Sequence, residues 1–204
     1  MYLIDQKTLG IIIVILLAVL VATKQIATGS ILDKPKGNFL VQLVNIFNLF
    51  FLLVVNPLVA ILLIMQRLEV VDRTRLVVEN PGILIPLEIL GIVLYVAGFL
   101  LMVWALISLK RNYQMGGSAP RDTDRLVTAG PYRFVRHPMY AAALYISLGL
   151  ACLTQSLACL AVFFIYLVLI LQLVSLEEGD LQRAYGQQYT DYQQKTGKII
   201  PFVF

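Results

Sequence analysis

Histidine is almost missing from this chain: there is one in 204 residues, alongside two cysteines and one tryptophan. Charged side chains are scarce as well, at 14%. The cysteines, Cys152 and Cys159, sit on apolar segments, so neither a disulfide framework nor a thiolate metal centre is expected. His137 has no second His or Cys close by in sequence, which argues the same way against a metal. No GxGxxG follows a strand pattern and no GxxxxGK[ST] occurs, so dinucleotide and P-loop sites are without support. A chain that is 59% hydrophobic, with mean hydropathy +0.83, has too little polar surface for a water-soluble domain.

Long apolar runs take the place of what is missing. They lie near 9–23, 39–65, 83–109, 138–153 and 157–174, and roughly 20 residues suffice to span the ~30 Å hydrocarbon core. The expected fold is an all-α integral membrane protein with about five transmembrane helices, a C-terminal amphipathic helix and no Rossmann domain. Residues 1–109 carry three spans; residues 110–204 carry a polar loop, a helical hairpin and the terminal helix. Asp5 and Lys7 precede the first apolar run and no small-residue cleavage site follows it, the pattern of a retained anchor rather than a removed signal peptide.

If all five segments cross, Lys and Arg divide twelve to four between the two faces. Residues 24–38, 110–137 and 175–204 are on the basic side. The positive-inside rule makes that side cytoplasmic and puts the N-terminus outside, in a cell inner membrane or its equivalent. Orientation and anionic lipid account for most of the excess base, and no nucleic-acid partner is expected.

Several local signals refine this plan. Gly29, Pro35, Gly37 and Asn38 mark a short loop. Asn56-Pro57 predicts a kink in the second segment. Asn45, Asn48 and Asn56 either pack helices or line a cavity, with packing the expected use. Glu88 is read as lying near the outer interface within reach of water. The loop 110–137, with Gly116-Gly117, Pro120 and Arg121, is long enough to be functional. Beyond Glu177 the spacing of Leu181, Tyr185, Tyr189 and Tyr192 predicts an amphipathic helix ended by Gly197 and Pro201. Tyr189 and Tyr192 would form its interfacial belt.

The hairpin formed by 138–153 and 157–174 has both ends on one face. It therefore brings Arg136-His137 beside Glu177-Glu178. Free amides at the helix start favour an anion, Arg136 offers a carboxylate clamp, and the two glutamates suit a cation, an amine or ribose hydroxyls. A zwitterionic, nucleoside-like ligand meets all three demands.

Gly130-Pro131-Tyr132, then Arg136-His137-Pro138-Met139-Tyr140, then Glu177-Glu178, Leu181, Tyr185-Gly186, Tyr189, Tyr192 and Ile200-Pro201 resemble the isoprenylcysteine carboxyl methyltransferase family and related phospholipid methyltransferases. The likeness runs over about 110–204. It implies S-adenosylmethionine as cofactor, with contacts from Leu126, Val127, Tyr132, Arg136, His137, Pro138, Met139, Glu177 and Glu178. It also implies a lipophilic acceptor: a prenylcysteine-like carboxylate or a lipid amine. No catalytic residue is assigned, because alignment alone drives much of an in-line displacement; an amine acceptor would call on Glu178 or His137 as base. Two departures matter. Asp124 stands where the family usually has His. Leu171-Gln172-Leu173-Val174 lacks the Arg that relatives acting on prenylcysteine carry. Two other classes remain open: an NADPH-dependent membrane reductase of the sterol-reductase type, and a non-catalytic transporter or scaffold. A transporter predicts paired repeats with broken helices, which the sequence does not display.

Overall fold

A computed structural model describes residues 3–31, 39–113 and 124–200. Lys34, Pro35, Lys36, Gly37, Asn38, Gly116, Gly117, Pro120, Arg121 and Pro201, which carry loop, charge and stop signals, lie outside the described residues. The described residues form helices and connecting turns: α1 Gln6–Thr28, α2 Phe39–Ile64, a single turn α3 Leu68–Val71, α4 Pro81–Leu109, α5 Pro138–Thr154, α6 Leu157–Tyr185 and α7 Gln187–Gln193. Four of them (α1, α2, α4 and α6) are long and apolar enough to cross a membrane. The protein is an all-α integral membrane protein whose fifth apolar helix, α5, is shorter at 17 residues.

Local chemistry sets the helix starts. The Asp5 side chain accepts from the Thr8 amide, that of Asn80 from Gly82, and that of Ser156 from Cys159. Each such cap is worth about 1 kcal/mol. At Asn56-Pro57 the expected kink takes the form of a π-turn over Phe51–Val55, since proline cannot donate to the preceding turn. Asn56 fills the gap: its Nδ2 donates to Phe51 O at 2.9 Å while its Oδ1 accepts from Tyr95 OH at 2.7 Å.

Helix α5 is buried along most of its length because small residues let neighbouring backbones close on it. A Cβ at Gly149 would lie 2.6 Å from Tyr95 N, and one at Gly98 2.9 Å from Ala142 O. The Thr154-Gln155-Ser156 turn reaches the far end of the bundle. There Leu76 N donates to Gln155 O, Leu157 N to Thr74 O, and Arg75 Nε to Thr154 O.

Three expectations are corrected. Glu88 is buried, and its Oε2 accepts from the Leu3 amide at 2.8 Å; the segment before α1 folds over it and excludes the water expected there. The amphipathic stretch expected beyond Glu177 as far as Gly197 is not one helix. Instead α6 continues unbroken through the acidic pair to Tyr185, breaks at Gly186 (φ 52°), and resumes as α7. Tyr189 and Tyr192 are buried rather than interfacial. The reason is a long-range pairing in which Arg136 N donates to Gly197 O, His137 N to Lys198 O, and Gly197 N to Phe134 O. That pairing folds the tail back against 134–137.

Candidate functional site

Residues 130–137 form a bridge into α5. A 3-10 turn at Gly130–Arg133 is followed by an extended stretch that ends on Pro138, where a missing amide costs nothing. Across from it runs the C-terminal part of α6. Arg136 Nε donates to Glu178 Oε1 at 2.9 Å, and Tyr140 OH donates to Glu177 Oε2 at 2.7 Å. The His137 ring stacks on Tyr140 with centroids 5.7 Å apart. The two polar clusters therefore meet, as the hairpin requires.

The two glutamates are not equivalent. Glu178 is bound on both oxygens: Arg136 Nε on Oε1, and Lys198 Nζ on Oε2 at 2.9 Å. His137 Nε2 stands 3.5 Å from Oε1, an electrostatic contact too long for a hydrogen bond. Glu177 receives only the Tyr140 hydroxyl among the described residues. Arg136 likewise spends Nε on Glu178 and Nη1 on the carbonyls of Gln193 and Thr196. It braces the tail, and among the described residues only Nη2 is left over, so the expected two-pronged clamp on an outside carboxylate is not available to it. The amides of Arg136 and His137 are occupied by the tail. At the helix start only those of Met139 and Tyr140 precede the first helical bond, Ala141 N to His137 O.

A cavity of about 230 Å³ opens beside these groups. Leu126, Val127, Tyr132, Arg136, His137, Pro138, Met139 and Glu177 line it, and Asp124 does so at the position where the family usually has His. Glu178 does not line it. Two buried polar atoms on residues of the wall, His137 Nε2 and Tyr189 OH, have no hydrogen bond among the described residues. Both atoms are closed to solvent, and His137 Nε2 faces Glu178 Oε1. Tyr140, Tyr185 and Tyr189 also line the cavity. None of the three was expected at the site, although each stands within the motifs that run from Gly130 to Pro201. Burial pushes the phenols of Tyr132, Tyr189 and Tyr192 above their ordinary range, with Glu177 adding to the effect at Tyr132.

Away from its charged end the cavity turns apolar, with walls from Leu17 and Leu20 of α1, Leu49 and Leu52 of α2, and Met102 and Leu106 of α4. Leu173 and Val174 occupy the stretch where prenylcysteine relatives carry Arg, and both are buried, Leu173 against Val41 and Val44.

Fold and site together define a helical membrane protein with an internal cavity, polar at one end and greasy at the other. A profile described as "Phospholipid methyltransferase" matches residues 87–188, and the chain belongs to that family. Two curated relatives are similar over part of their length. Protein-S-isoprenylcysteine O-methyltransferase of Tribolium castaneum is 29% identical over 116 residues, 56% of this chain and 41% of the relative. Cobalt-zinc-cadmium resistance protein CzcN of Cupriavidus metallidurans is 33% identical over 81 residues, 40% of this chain and 38% of the relative. The matched stretch thus spans about two fifths of each of these relatives. A solved structure, the eukaryotic intramembrane Ras methyltransferase isoprenylcysteine carboxyl methyltransferase, superposes with TM-score 0.54 at 19% identity. That likeness covers 95% of this chain and 85% of the other, and it concerns the fold.

Proposed function

We propose that this protein is an S-adenosylmethionine-dependent methyltransferase acting on a lipophilic acceptor, with the cofactor entering from the cytoplasm. The observation that carries the reading is the meeting of His137, Tyr140 and Glu177 at the wall of an internal cavity. The donor set fits the cofactor. Glu177 Oε1 suits ribose hydroxyls or an ammonium group, and the Met139 and Tyr140 amides suit a carboxylate. Leu126, Val127, Tyr132, Pro138 and Met139 supply apolar walls. Arg136 and Glu178 support the site from behind by holding the tail and the start of α5 in place.

When bound, the cofactor supplies a methyl group on a sulfonium, an electrophile with a good leaving group. The protein then has to align it with a nucleophile and exclude water; alignment of this kind reaches effective molarities of about 10⁵ M or more. A carboxylate or thiolate acceptor needs no base. An amine must lose a proton, and of the two candidate bases, His137 and Glu178, His137 is the one that lines the cavity. The apolar end of the cavity supports a lipophilic acceptor, and the twelve-to-four division of Lys and Arg supports a cytoplasmic mouth.

The test is to incubate detergent-purified protein with methyl-labelled S-adenosylmethionine and membrane extract and to identify the labelled species. A labelled lipophilic product is expected. Binding of NADPH in preference to S-adenosylmethionine would overturn the reading in favour of a reductase.

A further inference from the structure

Helix α2 carries three asparagines, and two of them, Asn48 and Asn56, have side chains in very different settings. Asn56 is buried and satisfied at both ends, by Phe51 O and by Tyr95 OH. Asn48 is satisfied at one end only: its Oδ1 accepts from the Tyr166 hydroxyl of α6. Its Nδ2 has no partner among the described residues, yet Asn48 lines the cavity. The Tyr166 ring is itself fixed between Phe47 and Phe51, at centroid distances of 5.2 and 5.7 Å. The amide is therefore oriented, with its oxygen tied back to the bundle and its two N–H donors spare.

Its surroundings make this informative. Asn48 is half-buried and opens onto the cavity, and Leu17, Leu49, Leu52 and Met102 belong to the same wall, so the amide is a polar spot in an otherwise apolar stretch. Tyr166 precedes Glu177 by eleven residues on α6, which is about 16 Å along a helix axis. The spare donors therefore sit well below the charged end, at a depth where the tail of an acceptor would pass.

We propose that Asn48, held by Tyr166, is a specificity-determining residue that reads a hydrogen-bond-accepting oxygen within the acceptor's tail. The acceptor is an amphiphile with a carbonyl linkage some distance from the atom that is methylated, as in an ester-linked two-chain lipid. A prenyl chain offers no such oxygen at that depth. The absence of Arg at 171–174, where Leu173 and Val174 are buried instead, agrees with an acceptor other than a prenylcysteine carboxylate. This inference rests on the methyltransferase reading.

The experiment uses the full chain in nanodiscs with labelled S-adenosylmethionine, and compares an amine-headed phospholipid in its diacyl (ester) and dialkyl (ether) forms. A prenylcysteine analogue is run beside them, and cofactor affinity is measured separately by calorimetry. The wild type is expected to favour the diacyl form by about five- to tenfold, the worth of one hydrogen bond. Asn48→Leu should abolish that preference with cofactor affinity unchanged. Asn48→Ser, which keeps a donor, should restore part of it, and Tyr166→Phe, which frees the amide to turn, should weaken it. Should Asn48→Leu fail to fold, the Ser and Phe variants decide. Equal rates on the two forms, a preference that survives in the variants, transfer to the prenylcysteine analogue alone, or cofactor binding without transfer to either lipid would each overturn the inference while leaving the methyltransferase reading standing. Loss of both cofactor binding and transfer in the wild type would bring down the two together.

Discussion

The Tyr140 hydroxyl donates to Glu177 Oε2 at 2.7 Å, joining α5 to α6 across 37 residues of sequence at the wall of the cavity. This bond fixes one carboxylate oxygen and leaves the other for a ligand. Tyr140→Phe removes the donor while keeping the ring that stacks on His137. A hydrogen bond to a charged group is worth about 1.5–3 kcal/mol, so S-adenosylmethionine affinity should fall about tenfold or more with the fold intact. Calorimetry on the purified variant checks this; unchanged affinity would remove Tyr140 from the site.

Arg136 and Lys198 both contact Glu178, yet their loss should differ sharply. The Arg136 side chain is 5% exposed and the Glu178 side chain 12%, and removing one partner of a buried pair costs about 3–5 kcal/mol. Arg136→Ala also strands the carbonyls of Gln193 and Thr196. The Lys198 side chain is 40% exposed, so Lys198→Ala should cost about 1 kcal/mol or less. Thermal unfolding in detergent should show a large drop for the first and a small one for the second. Equal drops would contradict the bracing role given to Arg136.

Two glycines should respond in opposite directions. A Cβ at Gly149 would lie 2.6 Å from the backbone nitrogen of Tyr95, so Gly149→Ala must push α4 and α5 apart, at about 1–3 kcal/mol. At Gly179, inside α6, a Cβ meets nothing within 4 Å. Gly179→Ala should therefore stabilise by up to about 1 kcal/mol through helix propensity. The unfolding midpoints of the two variants check both signs.

Alkaline pH should unfold the C-terminal region. Tyr132, Tyr189 and Tyr192 have phenol pKa values raised by burial, so the folded state holds their protons at a pH where the unfolded state releases them. Their stabilising contribution is complete below the ordinary value of about 10 and is lost as pH rises above it. Tyrosinate absorbance should accordingly appear together with loss of structure. Ionisation of all the tyrosines well before unfolding would contradict their burial.

Much of this was legible in the residues. Apolar run lengths located the five main helices, because an apolar stretch in a bilayer can satisfy its backbone only as helix. The hairpin's two ends had to meet, and eight of the nine residues expected at the site do line one cavity. The rest depended on contacts that no local pattern encodes. Polarity ends the apolar run near 174, but backbone hydrogen bonding does not, so α6 continues to Tyr185. Tyr189 and Tyr192 read as surface aromatics until residues 197–198 pair with 134–137 and bury them. Glu178 looked like its neighbour, and only the approach of Lys198 and Arg136 separates a structural carboxylate from one that faces the cavity. The spare half of Asn48 likewise appears only once Tyr166 takes the other half.

The most direct measurement is a calorimetric titration of S-adenosylmethionine into purified wild-type protein and into Glu177→Ala. Saturable binding to the wild type, weakened at least about tenfold in the variant as expected for loss of a charged hydrogen-bonding group, is the predicted result. Wild-type protein that takes up no cofactor, or a variant that binds it as tightly as the wild type, would contradict a cofactor site built where α5 and α6 meet.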